Sequence, residues 1–376
     1  MLDKKLLIVS GTHGNELNPV MAVNKFRNLT LASNNNYFEF ILGNPLAYEK
    51  GLRYLDIDLN RSFDFKKSFL NKDLYEVQRA EQIVKEFGPE SPNGCQVVLD
   101  LHTTTASMGT SLVMYGRRKK DFYLAAILQN KFGLPIYLHE KDSQQTGFLV
   151  EAWPCGLVIE IGPVAQNHYD PIIVERFLIL LKFCENLYDG ISKNNLPLPD
   201  EMTIYVHQGS IDYPRDKDGN INSLIHPDRV MQDWVEIKNG DPLFLDEFNK
   251  DINYMSKDKT YPVFIGEAAY KEKKIAMSFT KKETIKCSKE WIEDYFLQIA
   301  AYAMAHDYVH GSQIRQGVIM ICTPDLYYQE FKIQDHELRQ WKHKFLKRLD
   351  MYHELKFDEK EAIKAEIRPE DFTNER

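Results

Sequence analysis

Short apolar runs alternate with amphipathic segments through the first half of the chain. Leu6–Val9, Val97–Leu99 and Gly156–Ile159 are apolar runs of the kind that predict buried strands. Between and after them, Leu17–Phe26, Leu74–Phe87, Phe122–Phe132 and Ile172–Tyr188 read as helices. Strand–helix alternation of this kind predicts a parallel or mixed sheet with helices on its faces. Ser192–Glu201 (SKNNLPLPDE) breaks the pattern and marks a boundary. Beyond it Thr203–His207 alternates like a strand, Asp218-Gly219 signals a turn, and Pro262–Ile265 is another short strand. Few helical periods occur before about Thr280, so this stretch reads as a smaller β-rich domain.

The tail changes again. Ser288 is placed to cap a helix running to about His306, with Trp291, Tyr295 and Ile299 on one stripe. Val318–Cys322 reads as a buried strand. Asp335 is placed to cap a second helix carrying Leu338, Trp341, Phe345, Leu349 and Tyr352. From about Asp358 the chain is highly charged, which predicts fraying. No internal repeat is visible. The expected organisation is an α/β domain over 1–197, a β-rich domain over 198–285 and an α/β extension over 286–376.

The three predicted strands of the first domain share a feature: each runs into polar chemistry at its C-terminal end, where open α/β sheets place ligands. The first runs into Gly-Thr-His-Gly-Asn-Glu at Gly11–Glu16, the second into Asp-Leu-His at Asp100–His102, the third into Glu160-Ile161-Gly162-Pro163. Imidazole nitrogen and carboxylate oxygen both suit Zn²⁺, and a catalytic zinc takes three protein ligands with one position open. His13, Glu16 and His102 supply such a set. An isolated H-x-x-E is common, and a histidine at a strand end is as often a satisfied polar group; the agreement of three strand ends is what points to a metal. Glu160 would join the same rim as the general base of a zinc hydrolase. Asp100 is placed to orient a ligand from behind.

Composition changes this picture little. A chain of 376 residues suggests two or three domains. With 43% hydrophobic and 27% charged residues it is ordinary for a globular protein. A formal charge of −8 argues against a general binder of nucleic acid or anionic membrane. No segment approaches the roughly 18 apolar residues of a membrane span, and the first residues lead straight into a strand without an apparent signal peptide. Cys95, Cys155, Cys184, Cys287 and Cys322 are dispersed without C-x-x-C spacing. That pattern fits reduced thiols in a cytoplasmic protein better than a disulfide framework or a cysteine metal site.

Taken together, the motifs resemble those of the aspartoacylase and succinylglutamate desuccinylase group of the zinc carboxypeptidase superfamily, and aspartoacylase most closely. The resemblance covers roughly Leu6 to Thr280. It is carried by GTHGNE at Gly11–Glu16, DLNRSFD at Asp58–Asp64, DLHTTTASMG at Asp100–Gly109 and EIGP at Glu160–Pro163. DYPRDKDG at Asp212–Gly219, IHP at Ile225–Pro227 and YPVFIGEAAY at Tyr261–Tyr270 continue it. It implies a zinc-carboxypeptidase-like mixed sheet flanked by helices, followed by the β-rich domain. It also implies one Zn²⁺ per subunit held by His13, Glu16 and His102, with Glu160 as the base that activates water. Arg53 matches the arginine that polarises the scissile carbonyl, Asn60 and Arg61 the pair that grips the substrate carboxylate, and Tyr270 a tyrosine that the C-terminal domain adds to the substrate site.

The chemistry of the residue types agrees. A guanidinium can stabilise a developing oxyanion, and another can bind a carboxylate bidentately. By spacing alone Arg53 and Arg61 would read as surface salt-bridge partners, and Tyr270 as a packed core phenol. Two positions depart from the family pattern. Thr103 follows His102 where aspartoacylases usually carry asparagine. Gln144–Ala152 (QQTGFLVEA) contains no arginine where the family has one for the acyl-amino acid's second carboxylate; Lys141 and Arg117 are the nearby cations that could substitute.

The tail resembles the C-terminal half of RecB-like nucleases of the PD-(D/E)xK class, through Gln298-Ile-Ala-Ala-Tyr302 and the strand and helix after it. No convincing copy of that class's Mg²⁺-binding acidic residues precedes it. Residues 286–376 hold 14 Lys+Arg against 17 Asp+Glu, which argues against nucleic-acid binding. A nuclease remnant or accessory extension is the expected reading, with an interaction or oligomerisation role open.

The expected function is zinc-dependent hydrolysis of the amide bond of a small N-acyl amino acid, N-acetylaspartate or a relative, by a cytoplasmic enzyme without a membrane partner. Two alternatives stand beside it: a carboxypeptidase-like hydrolase of short peptides, and a catalytically impaired fusion whose tail binds nucleic acid or protein. Homo-oligomerisation is left open.

Overall fold

The computed structural model describes residues 6–31, 38–65, 72–140, 145–191, 199–287, 293–322 and 328–356. They pack as two compact units, one formed by the described residues up to 189 together with 199–287, the other essentially by those from 293 onward.

The first unit is built on a nine-stranded mixed sheet. Its strands in the first half of the chain are β1 (Leu6–Ser10), β2 (Phe38–Leu42), β3 (Val97–Thr103), β4 (Thr110–Tyr115), β5 (Ile136–His139) and β6 (Cys155–Ile161). The later stretch adds β7 (Glu201–Ile211), β8 (Ser223–Ile225), β9 (Pro242–Asp246), β10 (Asp251–Asn253), β11 (Tyr261–Val263) and β12 (Met277–Lys286). Across the large sheet the order is β11-β12-β7-β5-β4-β6-β3-β1-β2, while β10, β9 and β8 form a small sheet of their own. Strands β2, β1, β3 and β6 run parallel to one another, and β4 turns antiparallel to β6.

Helices α1 (Leu17–Leu31), α2 (Pro45–Lys50), α3 (Tyr75–Phe87), α4 (Lys119–Phe132) and α5 (Pro171–Ile191) connect the strands of the first half. Each expected helix is present, with ends moved by a few residues. Leu6, Leu7, Ile8 and Val9 are wholly buried, as an apolar run in a central parallel strand requires. The β-rich stretch does not stand on a sheet apart: β7 pairs in parallel with β5, matching Tyr137 with Tyr205 and Leu138 with Val206.

Strands β3 and β6 run further than their apolar runs predict. The parallel ladder continues through His102↔Glu160 and Thr103↔Ile161, so His102 and Glu160 lie within the strands, side by side, and not in loops beyond them. Main-chain pairing holds these polar residues in the sheet where hydrophobicity alone would have ended it.

The second unit consists of α6 (Glu293–His310), an antiparallel hairpin of β13 (Gln316–Cys322) and β14 (Tyr328–Gln334), and α7 (Asp335–Lys356). Ala303, Ile333 and Leu338 form its core, with Ile299, Ile314 and Trp341 packed around them. Gln298 Nε2 donates to Tyr302 Oη one turn along α6 at 3.2 Å. The predicted Ser288 cap, Trp291 and the charged segment from Asp358 lie outside the described residues.

Candidate active site

The site begins at the turn after β1. Gly14 is pressed against the start of α2: a Cβ there would lie 2.2 Å from the Ala47 carbonyl carbon and the Tyr48 nitrogen, so only glycine fits. The tight approach lets Gly14 N donate to Arg53 O at 3.1 Å and turns His13 and Glu16 inward, both buried.

Glu16 is the hub. Its two carboxylate oxygens reach His13 Nδ1 at 2.7 Å and His102 Nδ1 at 3.1 Å, and Thr103 N donates to it at 2.8 Å. One ligand atom from each of His13, Glu16 and His102 lies within 4.8 Å of the others. Each imidazole turns its remaining nitrogen to a second carboxylate: His13 Nε2 to Asp58 Oδ1 at 3.0 Å, and His102 Nε2 to Asp100 Oδ2 at 2.7 Å. Thr12 Oγ1 in turn donates to Asp100 at 2.7 Å. Two imidazoles braced by carboxylates, with their other nitrogens converging on a third, are the arrangement a zinc-binding pair of histidines uses. The donor set therefore fits Zn²⁺.

The electrostatics are severe. Burial alone would raise the Glu16 carboxyl, but the charges and hydrogen bonds of His102 and His13 pull it far below the usual range. Burial would lower His102, and Asp100 and Glu16 hold it well above its ordinary value instead. Glu160 moves the opposite way. Burial, with Glu16 and Glu267 nearby, pushes it up to about 8 against the pull of His102 and Arg53.

Three more of the expected residues, Arg53, Asn60 and Arg61, come from one short segment. Arg53 Nη1 and Nη2 approach Glu16 and Asp58, each at 3.5 Å. Asp58 caps the 3-10 turn Leu59–Arg61 by accepting from Asn60 N at 2.9 Å. Asn60 Oδ1 accepts from Leu149 N at 2.8 Å. Arg61 donates through Nη1 to Asn60 O at 2.7 Å and through Nη2 to Gln145 Oε1 at 3.2 Å. The whole approach segment rests on buried Glu76 of α3, whose oxygens accept from Leu55, Asp56 and Ile57 N at 2.7, 3.1 and 3.3 Å.

Tyr270 arrives on the 3-10 helix Ala268–Lys273, its ring 5.3 Å from that of Phe264. Burial and the carboxylates Glu160 and Glu267 push its phenol up, so it stays protonated. One pocket is lined by all eight expected residues: His13, Glu16, Arg53, Asn60, Arg61, His102, Glu160 and Tyr270.

The same pocket is lined by residues that sequence reasoning passed over. Glu267 accepts from Thr104 Oγ1, from Thr105 N at 2.8 Å and Oγ1 at 3.0 Å, and from Ala106 N at 3.2 Å. Its second oxygen caps the Tyr270 helix at Ala269 N, 3.0 Å away. It thereby ties the turn after His102 to the Tyr270 helix. Tyr115, Tyr137 and His139 also line the pocket, brought onto one face by the pairings Val113↔Tyr137 and Tyr115↔His139. Arg117, considered from sequence as a substitute cation, is instead held by Glu140 at 2.9 and 3.0 Å and by Glu283 at 3.3 Å, outside the pocket lining. Lys141 lies outside the described residues.

The fold and this site define a zinc-carboxypeptidase-like α/β protein. Residues 3–187 match the family model of the succinylglutamate desuccinylase/aspartoacylase catalytic domain, and residues 200–282 match the AstE/AspA barrel-sandwich hybrid domain. The chain belongs to the succinylglutamate desuccinylase/aspartoacylase family.

It is 58% identical over 294 residues to a probable aspartoacylase of Prochlorococcus marinus subsp. pastoris, spanning 78% of this chain and 99% of the relative. A probable aspartoacylase of Prochlorococcus marinus strain NATL2A is 44% identical over 296 residues, spanning 77% and 96%. Among solved structures, murine aminoacylase 3 superimposes with a TM-score of 0.68 at 30% identity, covering 76% of this chain and 97% of its own. A succinylglutamate desuccinylase from Chromobacterium violaceum shares the fold, with a TM-score of 0.54 at 17% identity over 76% and 86%.

Proposed function

We propose that this protein is a zinc-dependent amidohydrolase that cleaves an N-acyl amino acid to a carboxylate and a free amino acid. The observation that carries the reading is the convergence of His13, Glu16 and His102 in one pocket with Glu160 and Arg61. Zinc, held by those three residues, supplies Lewis-acid polarisation when bound.

The chain's own groups would do the rest. Glu160, beside His102 on the neighbouring strand, takes a proton from the attacking water in its carboxylate form, which the charge of a bound zinc would favour, and returns it to the leaving amine. Arg53 faces the charge that develops on the carbonyl oxygen. Arg61 and Asn60 hold the carboxylate of the amino-acid half, since a guanidinium fork matches a carboxylate. Tyr270, kept protonated, donates a hydrogen bond to the bound acyl-amino acid. On this reading residues 1–197 carry the catalytic groups, and 198–285 close the pocket with Tyr270.

The names of the relatives support an aspartoacylase- or aminoacylase-type substrate, N-acetylaspartate or a related acyl amino acid. Among the described residues Cys95, Cys155, Cys184 and Cys287 are thiols not joined in disulfides, which supports a reducing, cytoplasmic setting. No helix among the described residues is long and apolar enough to cross a membrane.

The test is release of amine by zinc-loaded protein from N-acetyl amino acids with acidic, aromatic and neutral side chains, with N-succinylglutamate and plain dipeptides alongside. Turnover of acyl amino acids is the expected result. Turnover of dipeptides alone would make the protein a peptidase, and no turnover with zinc shown to be bound would sink the reading.

A further inference from the structure

The stretch 144–152 lacks the expected arginine, and its described part does something else. Phe148, only 3% exposed, lies with its ring centroid 3.9 Å from the centre of the Arg61 guanidinium. Tyr115 stacks on the same ring, 3.6 Å between centroids and 22° between planes.

This contact is set by the backbone and is not loose packing. Phe63 N donates to Gly147 O at 3.1 Å, and Leu149 N donates to the Asn60 side chain at 2.8 Å, so hydrogen bonds flank the pair on both sides. Gly147 sits at φ +81°, and a Cβ there would come within 2.7 Å of Arg61 O. Only glycine allows the two segments to close this tightly. Gln145 Oε1 then accepts from the edge of the guanidinium.

Arg53 lies between Glu16 and Asp58, whereas among the described residues no carboxylate pairs with Arg61. A carboxylate partner would hold Arg61 firmly, but it would occupy the fork and cancel the charge a substrate needs. An aromatic face holds the guanidinium by cation–π attraction and leaves its charge available. It also removes side-chain freedom that would otherwise be lost on binding, which is preorganisation.

We propose that Phe148 is a positioning residue that presents the Arg61 guanidinium to the substrate carboxylate, with Gln145 fixing its edge. The proposal deepens the function given above and rests on its assignment of Arg61 to the carboxylate.

The experiment is steady-state kinetics of the zinc-loaded full chain on the best N-acetyl amino acid. The proteins compared are wild type, Phe148→Leu, Phe148→Tyr, Arg61→Lys and the double variant Phe148→Leu/Arg61→Lys. Phe148→Leu is expected to raise KM about tenfold with kcat changed less than about twofold, and Phe148→Tyr to restore KM. In the Arg61→Lys background the leucine substitution is expected to add nothing, because its effect passes through the guanidinium. Unchanged KM in Phe148→Leu, a fall in kcat alone, or additive effects in the double variant overturn the proposal. If Phe148→Leu does not fold, Gln145→Leu is expected to raise KM about threefold, and an unaltered KM there overturns it equally. A wild-type protein that turns over no acyl amino acid sinks the functional reading first and this proposal with it.

Discussion

Asp58 Oδ1 accepts the Nε2–H of His13 at 3.0 Å. The same oxygen caps the turn that carries Asn60 and Arg61, so one carboxylate joins His13 to the segment proposed to grip the substrate. Asp58→Ala is expected to weaken zinc binding by about 10–100-fold, as loss of a carboxylate behind a ligating histidine does. Competition against a chromophoric chelator measures this, and unaltered affinity would disprove the link.

Glu160→Gln keeps the shape of the site and removes the base. It is expected to bind zinc normally while turnover falls by about 10²–10⁴-fold. Metal content and amine release on the same sample separate the two effects; retained turnover would remove Glu160 from the mechanism.

Glu267→Ala strips the acceptor from the backbone N–H groups of Thr105 and Ala269 and leaves Ala106 N only Thr104 Oγ1. Leaving buried donors unmet costs about 1–3 kcal/mol apiece where water cannot reach them. A loss of about 3 kcal/mol by denaturant unfolding is expected, with KM raised as the Tyr270 helix loosens. A variant as stable as wild type would show that this carboxylate is not a tie.

Two carboxyls away from the proposed metal ligands set a pH dependence of stability. Burial pushes Asp121 up to about 6 against the pull of Arg118 and Gly156 N–H, and burial pushes Asp233 to about 6 against several backbone N–H groups. In the unfolded chain both ionise near 3.8. Between those values the native state holds more protons than the unfolded one, so each contribution falls as pH rises, and the penalty is complete above about 6. Each penalty is on the order of 3 kcal/mol. Asp233→Asn is therefore expected to be more stable relative to wild type at pH 7 than at pH 5. Urea unfolding at the two values checks this; a difference independent of pH refutes it.

What was legible in the sequence was whatever lay along one segment. His13, Glu16, His102 and Glu160 each follow an apolar run, and a strand end is a local signal. The helices were legible from apolar spacing, though α1 and α5 run on to Leu31 and Ile191 and α4 starts earlier, at Lys119. Glu267 was not legible: its partners Thr104 and Thr105 lie 163 and 162 residues away, and glutamate is no favoured helix cap. Tyr115, Tyr137 and His139 share a face only because β4 and β5 pair in a particular register, and β5 is four residues long, too short to announce itself. Nothing in the sequence singles out Phe148. Its role depends on a glycine beside it that lets two distant segments meet.

The parallel pairing of β5 with β7 also limits how this protein can be taken apart. A fragment ending near residue 190 would present the β5 side of its sheet as a bare row of unpaired main-chain groups, the kind of edge that recruits other chains. The portion matched by the catalytic-domain model is therefore a poor unit for transplantation. A chimera that borrows His13, Glu16 and His102 must carry β7, β12 and β11 with them, or find another strand to seal the seam.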